Sequence, residues 1–148
     1  MPVLKRSCSG VDFLGEFTYI SAMSYKILYT DDDASIRTAV RGEIIGAGYE
    51  LDEAGDGAEA IRKLEKNNYD LLLLDINMPG KSGLDVLRFI KEKKLSCRII
   101  MLSGRLGFSV ATETLKLGAD EYITKPFSVE FLLLTIKNVL QKAGRTTH

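Results

Sequence analysis

Residues 71–83, LLLLDINMPGKSG, indicate the fold class of this chain most clearly. Its four leucines form a run too short for a buried helix, and such a run is typical of a central parallel strand covered on both faces. The strand ends at Asp75, and the segment 77–83 that follows is rich in proline and glycine, which are typical of turns. Asp75 is therefore predicted to lie at the exit of a buried strand.

Short apolar runs alternate with amphipathic stretches on both sides of this segment, from Tyr25 onward. The predicted strands are residues 26–30, 49–54, 71–74, 97–102 and 121–124, and the last helix is predicted at 128–142. Five strands that alternate with five helices imply right-handed βαβ crossovers. We therefore expect an α/β fold with a five-stranded parallel sheet, doubly wound as (βα)5, with helices on both faces.

The composition argues against several classes of function. The chain has 148 residues, which suits one domain, and its 20 lysines and arginines balance 20 aspartates and glutamates. A net charge of zero argues against a duplex nucleic-acid binder, which normally carries a basic excess. The single histidine is His148, the last residue, so catalysis or metal binding by histidine is not expected.

The cysteines and the apolar runs indicate the cellular compartment in which the protein is expected. Cys8 and Cys97 are too few for a disulfide framework and form no CxxC pair for zinc. No apolar run approaches the roughly 18–20 residues that cross a bilayer. Near the start of the chain, Asp12 and Glu16 interrupt the apolar stretch that a signal peptide would need. We therefore expect a cytoplasmic protein without membrane contact.

Polar or charged residues follow four of the predicted strands. These residues are Asp31 and Asp32 after the first strand, Asp75 after the third, Ser103 after the fourth and Lys125 after the fifth. In open parallel sheets, binding sites form outside the carboxyl ends of the strands. Three carboxylates, one hydroxyl and one amine are therefore expected to converge at one edge of the sheet.

This set of groups indicates phosphoryl-transfer chemistry. Carboxylates that lie close together repel one another unless a cation lies between them. Mg²⁺ suits such a site, because it binds one or two carboxylates and leaves positions for phosphate oxygens. Asp75 is the candidate nucleophile, since carboxylates form acyl phosphates, while Lys125 and the Ser103 hydroxyl neutralise the transferring group. The residues by themselves predict a magnesium-dependent aspartyl-phosphate site.

Four motifs resemble those of the receiver domain of two-component response regulators, the CheY-like family. They are ILYTDDDASIR at 27–37, LLLLDINMPGKSG at 71–83, IIMLSG at 99–104 and GADEYITKPF at 118–127. Each motif alone is moderately specific, but four in the family's order, each at a predicted strand end, form a strong signal. The resemblance covers residues 25–142, and it implies the flavodoxin-like strand order 2-1-3-4-5.

The resemblance assigns a phosphoacceptor and a set of metal ligands. Asp75 matches the phosphoacceptor of the family. Asp31 and Asp32 match its acidic pair, with Asp32 as the direct ligand and Asp31 acting through water. The backbone carbonyl of Asn77 matches a further protein ligand. The implied cofactor is Mg²⁺, and the implied metal-binding residues are Asp31, Asp32, Asp75 and Asn77.

Other positions match the groups that couple phosphorylation to a change of shape. Ser103 matches the switch hydroxyl and Tyr122 the switch aromatic residue. Lys125 matches the family's lysine, and Pro126 matches the proline that follows a cis peptide bond. In this scheme Ser103 moves toward the phosphoryl group and Tyr122 rotates into the space left behind. The resemblance thus implies a switch of the face made by helix four, strand five and helix five.

The implied partners are a sensor histidine kinase or phosphotransfer protein, which supplies the phosphoryl group, and an output protein or domain that reads the switched face. Direct nucleic-acid binding is not expected. The chain is expected to be a phosphoacceptor signalling domain that assists its own phosphotransfer and dephosphorylation, and not an enzyme with a separate substrate.

Other interpretations stay open at this point. The chain is alternatively a receiver-shaped protein-interaction module that is not phosphorylated, or the isolated receiver of a larger regulator. A phosphatase of the haloacid-dehalogenase type is disfavoured, because it needs a second aspartate where this chain has Asn77. Some residues also have plainer explanations: Asp33 caps a helix, Ser103 suits a loop, and Tyr122 suits a static strand position.

The last helix departs from the family's usual sequence. Phe131 and Thr135 stand where an acidic and a basic residue are usual in the winged-helix subfamily, which argues against that subfamily's salt-bridged dimer. Residues 131–134 are all apolar, so one face is expected in the core, and Phe131 with some of its neighbours suits a partner-binding surface.

The chain is expected to divide into three parts. Residues 25–142 form the predicted receiver domain, and residues 143–148 form a short C-terminal tail. Residues 1–24 have no counterpart in the family. They are either a flexible or vector-derived lead-in or, since apolar residues recur at roughly helical spacing, a helix that docks or dimerises.

Overall fold

The computed structural model describes residues 24–104 and 108–146, so nearly all of the predicted extension at 1–24 lies outside the described residues. The elements are β1 (Lys26–Thr30), α1 (Ala34–Gly46), β2 (Glu50–Ala54), α2 (Gly57–Lys66), β3 (Leu71–Asp75), α3 (Gly83–Lys93), β4 (Arg98–Ser103), α4 (Phe108–Lys116), β5 (Glu121–Thr124) and α5 (Val129–Thr146). α5 continues past the predicted boundary at residue 142. Among these helices, none is both long enough and apolar enough to cross a membrane.

The sheet has the strand order β2-β1-β3-β4-β5, and every neighbouring pair is parallel. This confirms the predicted doubly wound sheet and its strand order. Since β1 and β4 both pair with β3, the carboxyl ends of these three strands lie side by side at one edge. β5 pairs with β4 and brings the residues after Thr124 to the same edge.

The leucine run is apolar at every position because both faces of β3 are covered. Successive side chains of a strand point to opposite faces. Leu72 and Leu74 join one core cluster, which includes residues of α2 and α3. Leu71 and Leu73 join the other, which includes residues of α1 and α5. One central strand therefore supplies both cores, and all five of its residues are buried.

Helix caps fix the loops at the carboxyl edge. The Asp33 side chain accepts hydrogen bonds from the backbone N–H groups of Ser35 and Ile36, which confirms Asp33 as the cap of α1. α3 begins with a capping box, in which the Asp85 N–H donates to the Ser82 hydroxyl and the Ser82 N–H donates to the Asp85 carboxylate. These caps hold the loops that follow β1 and β3.

Gly83, the first residue of α3, lies directly against the end of β3. A Cβ atom at this position would lie 2.3 Å from the carbonyl oxygen of Asp75. That distance is far inside van der Waals contact, so only a residue without a side chain fits here. The glycine lets the turn after β3 fold back tightly beneath Asp75.

Candidate functional site

Three carboxylates meet at the carboxyl edge of the sheet. Asp75 ends β3, while Asp31 and Asp32 follow β1, the neighbouring strand. One oxygen of each carboxylate lies within 4.8 Å of the others. Asp31 and Asp75 are buried, with 0% and 3% exposure, whereas Asp32 is exposed. The structure thus brings together the three aspartates that the sequence singled out.

Lys125 follows β5 and reaches the same cluster from the far side of β4. Its Nζ atom donates a hydrogen bond to Asp31 Oδ2 at 2.8 Å and lies 3.6 Å from Asp75 Oδ2. The Lys125 N–H also donates to the Ser103 carbonyl at 2.7 Å, which ties the loop after β5 to the end of β4. The Lys125–Pro126 peptide bond is cis, as the resemblance implied.

The surroundings of Asp75 oppose its ionisation. Burial raises the pKa of this carboxyl group from 3.8 to about 6, with Lys125 acting in the opposite direction and the charges of Asp31 and Asp32 adding to the rise. The Asn77 N–H donates to Asp75 Oδ1 at 3.3 Å and favours the charged form. A buried carboxylate that remains charged at this place needs a cation beside it.

The donor set fits a small divalent cation. A solvent-open cavity lies over the cluster, and its lining residues are Asp31, Asp32, Asp33, Ile36, Asp75, Asn77, Gly104 and Lys125. Four aspartates against one lysine leave an excess of negative charge, which a hard cation with oxygen ligands would balance. Asn77 lies in the lining, next to the acceptor candidate, so the whole predicted ligand set borders one cavity.

Ser103 and Tyr122 lie on β4 and β5, the two strands on the side of β3 away from β1. Ser103 is the last residue of β4 and is buried, and its neighbour Gly104 forms the cavity wall. Tyr122 is half-buried on β5 and packs against the core cluster that contains α3 residues. Ser103 and Tyr122 thus lie on the strands where the resemblance places the switch hydroxyl and the switch aromatic residue. Their roles in a switch remain predictions.

The apolar stretch at the start of α5 divides between core and surface. Leu132 is fully buried, whereas Phe131 and Leu134 are exposed by 52% and 55%. Thr135 is buried, and its hydroxyl donates to the Phe131 carbonyl at 2.8 Å, within the helix. The predicted core face is therefore present, and the two exposed side chains stand on the outer side of α5.

Arg37 touches the site, although no motif in the sequence predicts it. Arg37, in α1, donates a hydrogen bond from Nη1 to the backbone carbonyl of Asp31 and from Nε to Glu53 Oε1 at 3.1 Å. Arg37 ends the quoted motif ILYTDDDASIR, but the sequence contains no signal that a helical arginine turns back toward the loop before it. Its partner Glu53 lies on β2, outside every quoted motif.

Comparisons with known proteins agree with this geometry. Residues 27–137 match the family model of the response regulator receiver domain. The transcriptional regulatory protein ResD of Bacillus subtilis (strain 168) is 42% identical over 123 residues, which cover 83% of this chain and 51% of that protein. The chain thus spans about half the length of the curated relatives that it matches.

Two solved structures have the same fold. A CheY-like response regulator receiver domain protein from Methanospirillum hungatei JF-1 has a TM-score of 0.79 and 30% identity, covering 82% of this chain and 98% of its own. The response regulator TrrA from Thermotoga maritima, solved in complex with Mg²⁺-BeF, has a TM-score of 0.70 and 38% identity, covering 78% and 98%. This chain therefore belongs to the response regulator receiver domain family of two-component systems.

Proposed function

We propose that the chain accepts a phosphoryl group on Asp75 from a histidine kinase or phosphotransfer protein, in a reaction that requires Mg²⁺. The observation that carries this proposal is the placement of Asp75. Its carboxylate is nearly buried, lies beside two other carboxylates at the carboxyl edge of the sheet, and has the Lys125 ammonium group 3.6 Å away. This arrangement places a candidate nucleophile, a cation site and a positive charge together at one point.

The chain's own residues supply a nucleophile and a charge partner. The Asp75 carboxylate attacks phosphorus, a new O–P bond forms, and the bond from phosphorus to the donor nitrogen breaks. Lys125 is held toward the reacting oxygens by its hydrogen bond to Asp31, so its charge is in place before the phosphoryl group arrives. The resulting acyl phosphate is lost by hydrolysis, which the same groups would assist.

Asp31, Asp32, Asp75 and the carbonyl of Asn77 would hold the cation. When bound, Mg²⁺ supplies charge neutralisation and coordination positions for phosphoryl oxygens. Its presence beside the cluster would also favour the ionised form of Asp75, which the protein alone disfavours. TrrA, a relative of known structure, was solved with Mg²⁺-BeF, which supports the assignment of this ion to the family's site.

We further propose that phosphorylation changes the face made by α4, β5 and α5. Ser103 would move toward the phosphoryl oxygens, and Tyr122 would turn inward, so that the population of one surface conformation increases. The exposed Phe131 and Leu134 lie on α5 and would form part of the surface that an output partner reads. Since several relatives are transcriptional regulators, that partner would be an effector domain or protein, and the receiver itself would not contact DNA.

Intact-mass spectrometry tests the phosphoacceptor directly. The full chain is incubated with Mg²⁺ and acetyl phosphate, a small donor, and then weighed with and without hydroxylamine, which cleaves acyl phosphates. We expect one added phosphoryl group that disappears with hydroxylamine, and none in Asp75→Asn. Asp70→Asn is the matched control, because Asp70 immediately precedes β3 at its other end, and this variant should be modified like the wild type.

Two outcomes would contradict the proposal. A phosphoryl group that still forms on Asp75→Asn would assign the acceptor to another residue. A wild-type chain that takes no phosphoryl group from acetyl phosphate or a phosphorylated kinase, where another receiver does, would favour the unphosphorylated interaction module.

A further inference from the structure

Arg37, in α1, connects the acidic loop after β1 to the second strand, β2. The residue lies in the first turn of α1, and its side chain is 18% exposed. One end of the guanidinium group donates to the backbone carbonyl of Asp31, and Nε pairs with Glu53 on β2 at 3.1 Å. The guanidinium group therefore bridges the loop after β1 and the second strand.

Asp31 is held by hydrogen bonds at its backbone as well as its side chain. Its N–H donates to the Ala54 carbonyl at 3.2 Å, and its carbonyl accepts from Arg37. Its two carboxylate oxygens accept from the Asp33 N–H at 3.0 Å and from Lys125 at 2.8 Å. The contact with Arg37 fixes the peptide plane that joins Asp31 to Asp32, and so it fixes the direction in which both side chains leave the loop.

We propose that Arg37 is a positioning residue for the acidic pair, anchored by Glu53, and that it raises the affinity of the site for Mg²⁺. This inference rests on the proposed function, because the contact between Arg37 and the Asp31 carbonyl affects Mg²⁺ affinity only if the site binds that cation. Groups that orient metal ligands without touching the metal commonly change metal affinity by about 10–100-fold when they are removed.

The direction in which Mg²⁺ affinity changes when Arg37 is removed distinguishes a positioning role from a simple effect of charge. Arg37 carries a positive charge next to an acidic cluster, so electrostatics alone predict that its removal strengthens the binding of a divalent cation. Positioning predicts the opposite, because an untethered loop must be ordered each time the cation binds. A measured change in Mg²⁺ affinity therefore distinguishes the two effects without ambiguity.

Arg41 provides a matched control on the same helix. It lies one turn after Arg37 and pairs with the other carboxylate oxygen of Glu53, at 2.5 Å, with a side chain that is 46% exposed. Arg41→Met removes one positive charge and one ion pair with the same glutamate, as Arg37→Met does. The variants differ in the hydrogen bond that Arg37 makes to the Asp31 carbonyl.

The experiment is a calorimetric titration of the full chain with MgCl₂ alone. We expect Arg37→Met to raise the dissociation constant for Mg²⁺ by about tenfold, the lower end of the range for supporting groups. Arg37→Lys should also bind weakly, because a single ammonium group lacks the fork that reaches both partners. Arg41→Met should stay within about twofold of the wild type, as an exposed ion pair contributes little.

An Arg37→Met chain that binds Mg²⁺ as tightly as the wild type, or more tightly, would overturn the inference. A wild-type chain that binds no Mg²⁺ would instead overturn the proposed function. Amide NMR spectra show whether each variant is folded, and Arg37→Lys replaces Arg37→Met as the decisive variant if Arg37→Met does not fold. Arg37→Lys keeps the positive charge but lacks the guanidinium fork, so weaker Mg²⁺ binding supports the inference and unchanged binding overturns it.

The phosphorylation rate gives a second measurement that a general loss of structure would not reproduce. In Arg37→Met, the Mg²⁺ concentration for half-maximal phosphorylation should rise, while the rate at saturating Mg²⁺ should approach that of the wild type. A lower rate at saturating Mg²⁺ with an unchanged half-maximal concentration would contradict a positioning role.

Discussion

The buried Asp75 carboxyl group lowers the stability of the folded protein at neutral pH. Its pKa is raised to about 6 by burial and by the neighbouring Asp31 and Asp32, against the effect of Lys125. Its pKa in the unfolded chain is near the ordinary value of 3.8. Between these two values the folded state holds more protons than the unfolded state, so stability falls as the pH rises through this window.

We expect Asp75→Asn to stabilise the cation-free protein at neutral pH by about 2–3 kcal/mol, since each pKa unit corresponds to about 1.4 kcal/mol. The gain should be small near pH 4, where Asp75 is largely protonated in the folded state. Urea unfolding in the presence of EDTA, at pH 4 and pH 7.5, measures both values. Equal gains at the two pH values would contradict the electrostatic explanation.

Asp52 provides a control, because its pKa is shifted in the opposite direction to that of Asp75. Burial opposes its ionisation, but hydrogen bonds from Tyr69 at 2.5 Å and from Lys63 at 2.9 Å outweigh burial and lower its pKa. The ionised form of Asp52 therefore stabilises the fold above its ordinary pKa, and this contribution is lost on acidification. Asp52→Asn should destabilise the protein at pH 7.5 under the same conditions.

At the scale of elements, the contact between β3 and α3 determines where Asp75 lies. Gly83 begins α3, and its N–H donates to the Ile76 carbonyl at 3.0 Å. The capping box of Ser82 and Asp85 fixes the direction of the same helix. The turn that carries Asn77 is thus held between a buried strand and a capped helix.

Gly83→Ala should destabilise the protein by about 1–3 kcal/mol, the usual cost of forcing extra atoms into a packed site. The added Cβ would meet the Asp75 carbonyl oxygen at 2.3 Å, so strand and helix must separate. The same shift should slow phosphorylation by acetyl phosphate, and both effects are measured on the purified variant by urea unfolding and intact mass.

Gly42→Ala is the matched control for this substitution. Gly42 lies inside α1, and a Cβ there has no neighbour within 4 Å. Alanine favours the helix over glycine by about 1 kcal/mol, so this variant should be as stable as the wild type or more stable. If Gly83→Ala behaves like Gly42→Ala, the close approach of α3 to β3 does not constrain the site.

At the scale of the whole molecule, the site depends on the complete sheet. Asp31 and Lys125 are 94 positions apart, yet they form a hydrogen bond of 2.8 Å. The cation ligands come from the ends of two strands, and the lysine comes from the end of a third. An unfolded chain would not assemble these groups, so a ligand of the cluster binds the native state selectively.

We therefore expect Mg²⁺ to stabilise the whole fold. At a concentration of one hundred times the dissociation constant, linkage predicts about 2.7 kcal/mol of added stability. Urea unfolding at several Mg²⁺ concentrations measures this gain. Asp32→Asn should abolish most of it without unfolding the chain, because Asp32 is exposed. Equal stabilisation of wild type and variant would show that the ion binds elsewhere.

The fold class and the members of the acidic cluster could be predicted from the amino-acid sequence alone. A strand that is buried on one face alternates apolar and polar residues, whereas a strand that is buried on both faces is apolar throughout. The run of leucines at 71–74 therefore indicates a central strand before any contact is known. Aspartates that follow parallel strands meet at one edge for topological reasons. The switch roles of Ser103 and Tyr122 came only from the resemblance and remain predictions.

Properties that depend on distances across the sheet could not be predicted in this way, because they arise only when the elements pack together. The bridge from Arg37 to the Asp31 carbonyl, the contact of Gly83 with Asp75 and the raised pKa of Asp75 all arise between elements. Local periodicity specifies which side of an element is buried, but not how closely two elements approach or which charges share a cavity. Packing sets those distances, and they determine whether three carboxylates and a lysine form a site that can hold a cation.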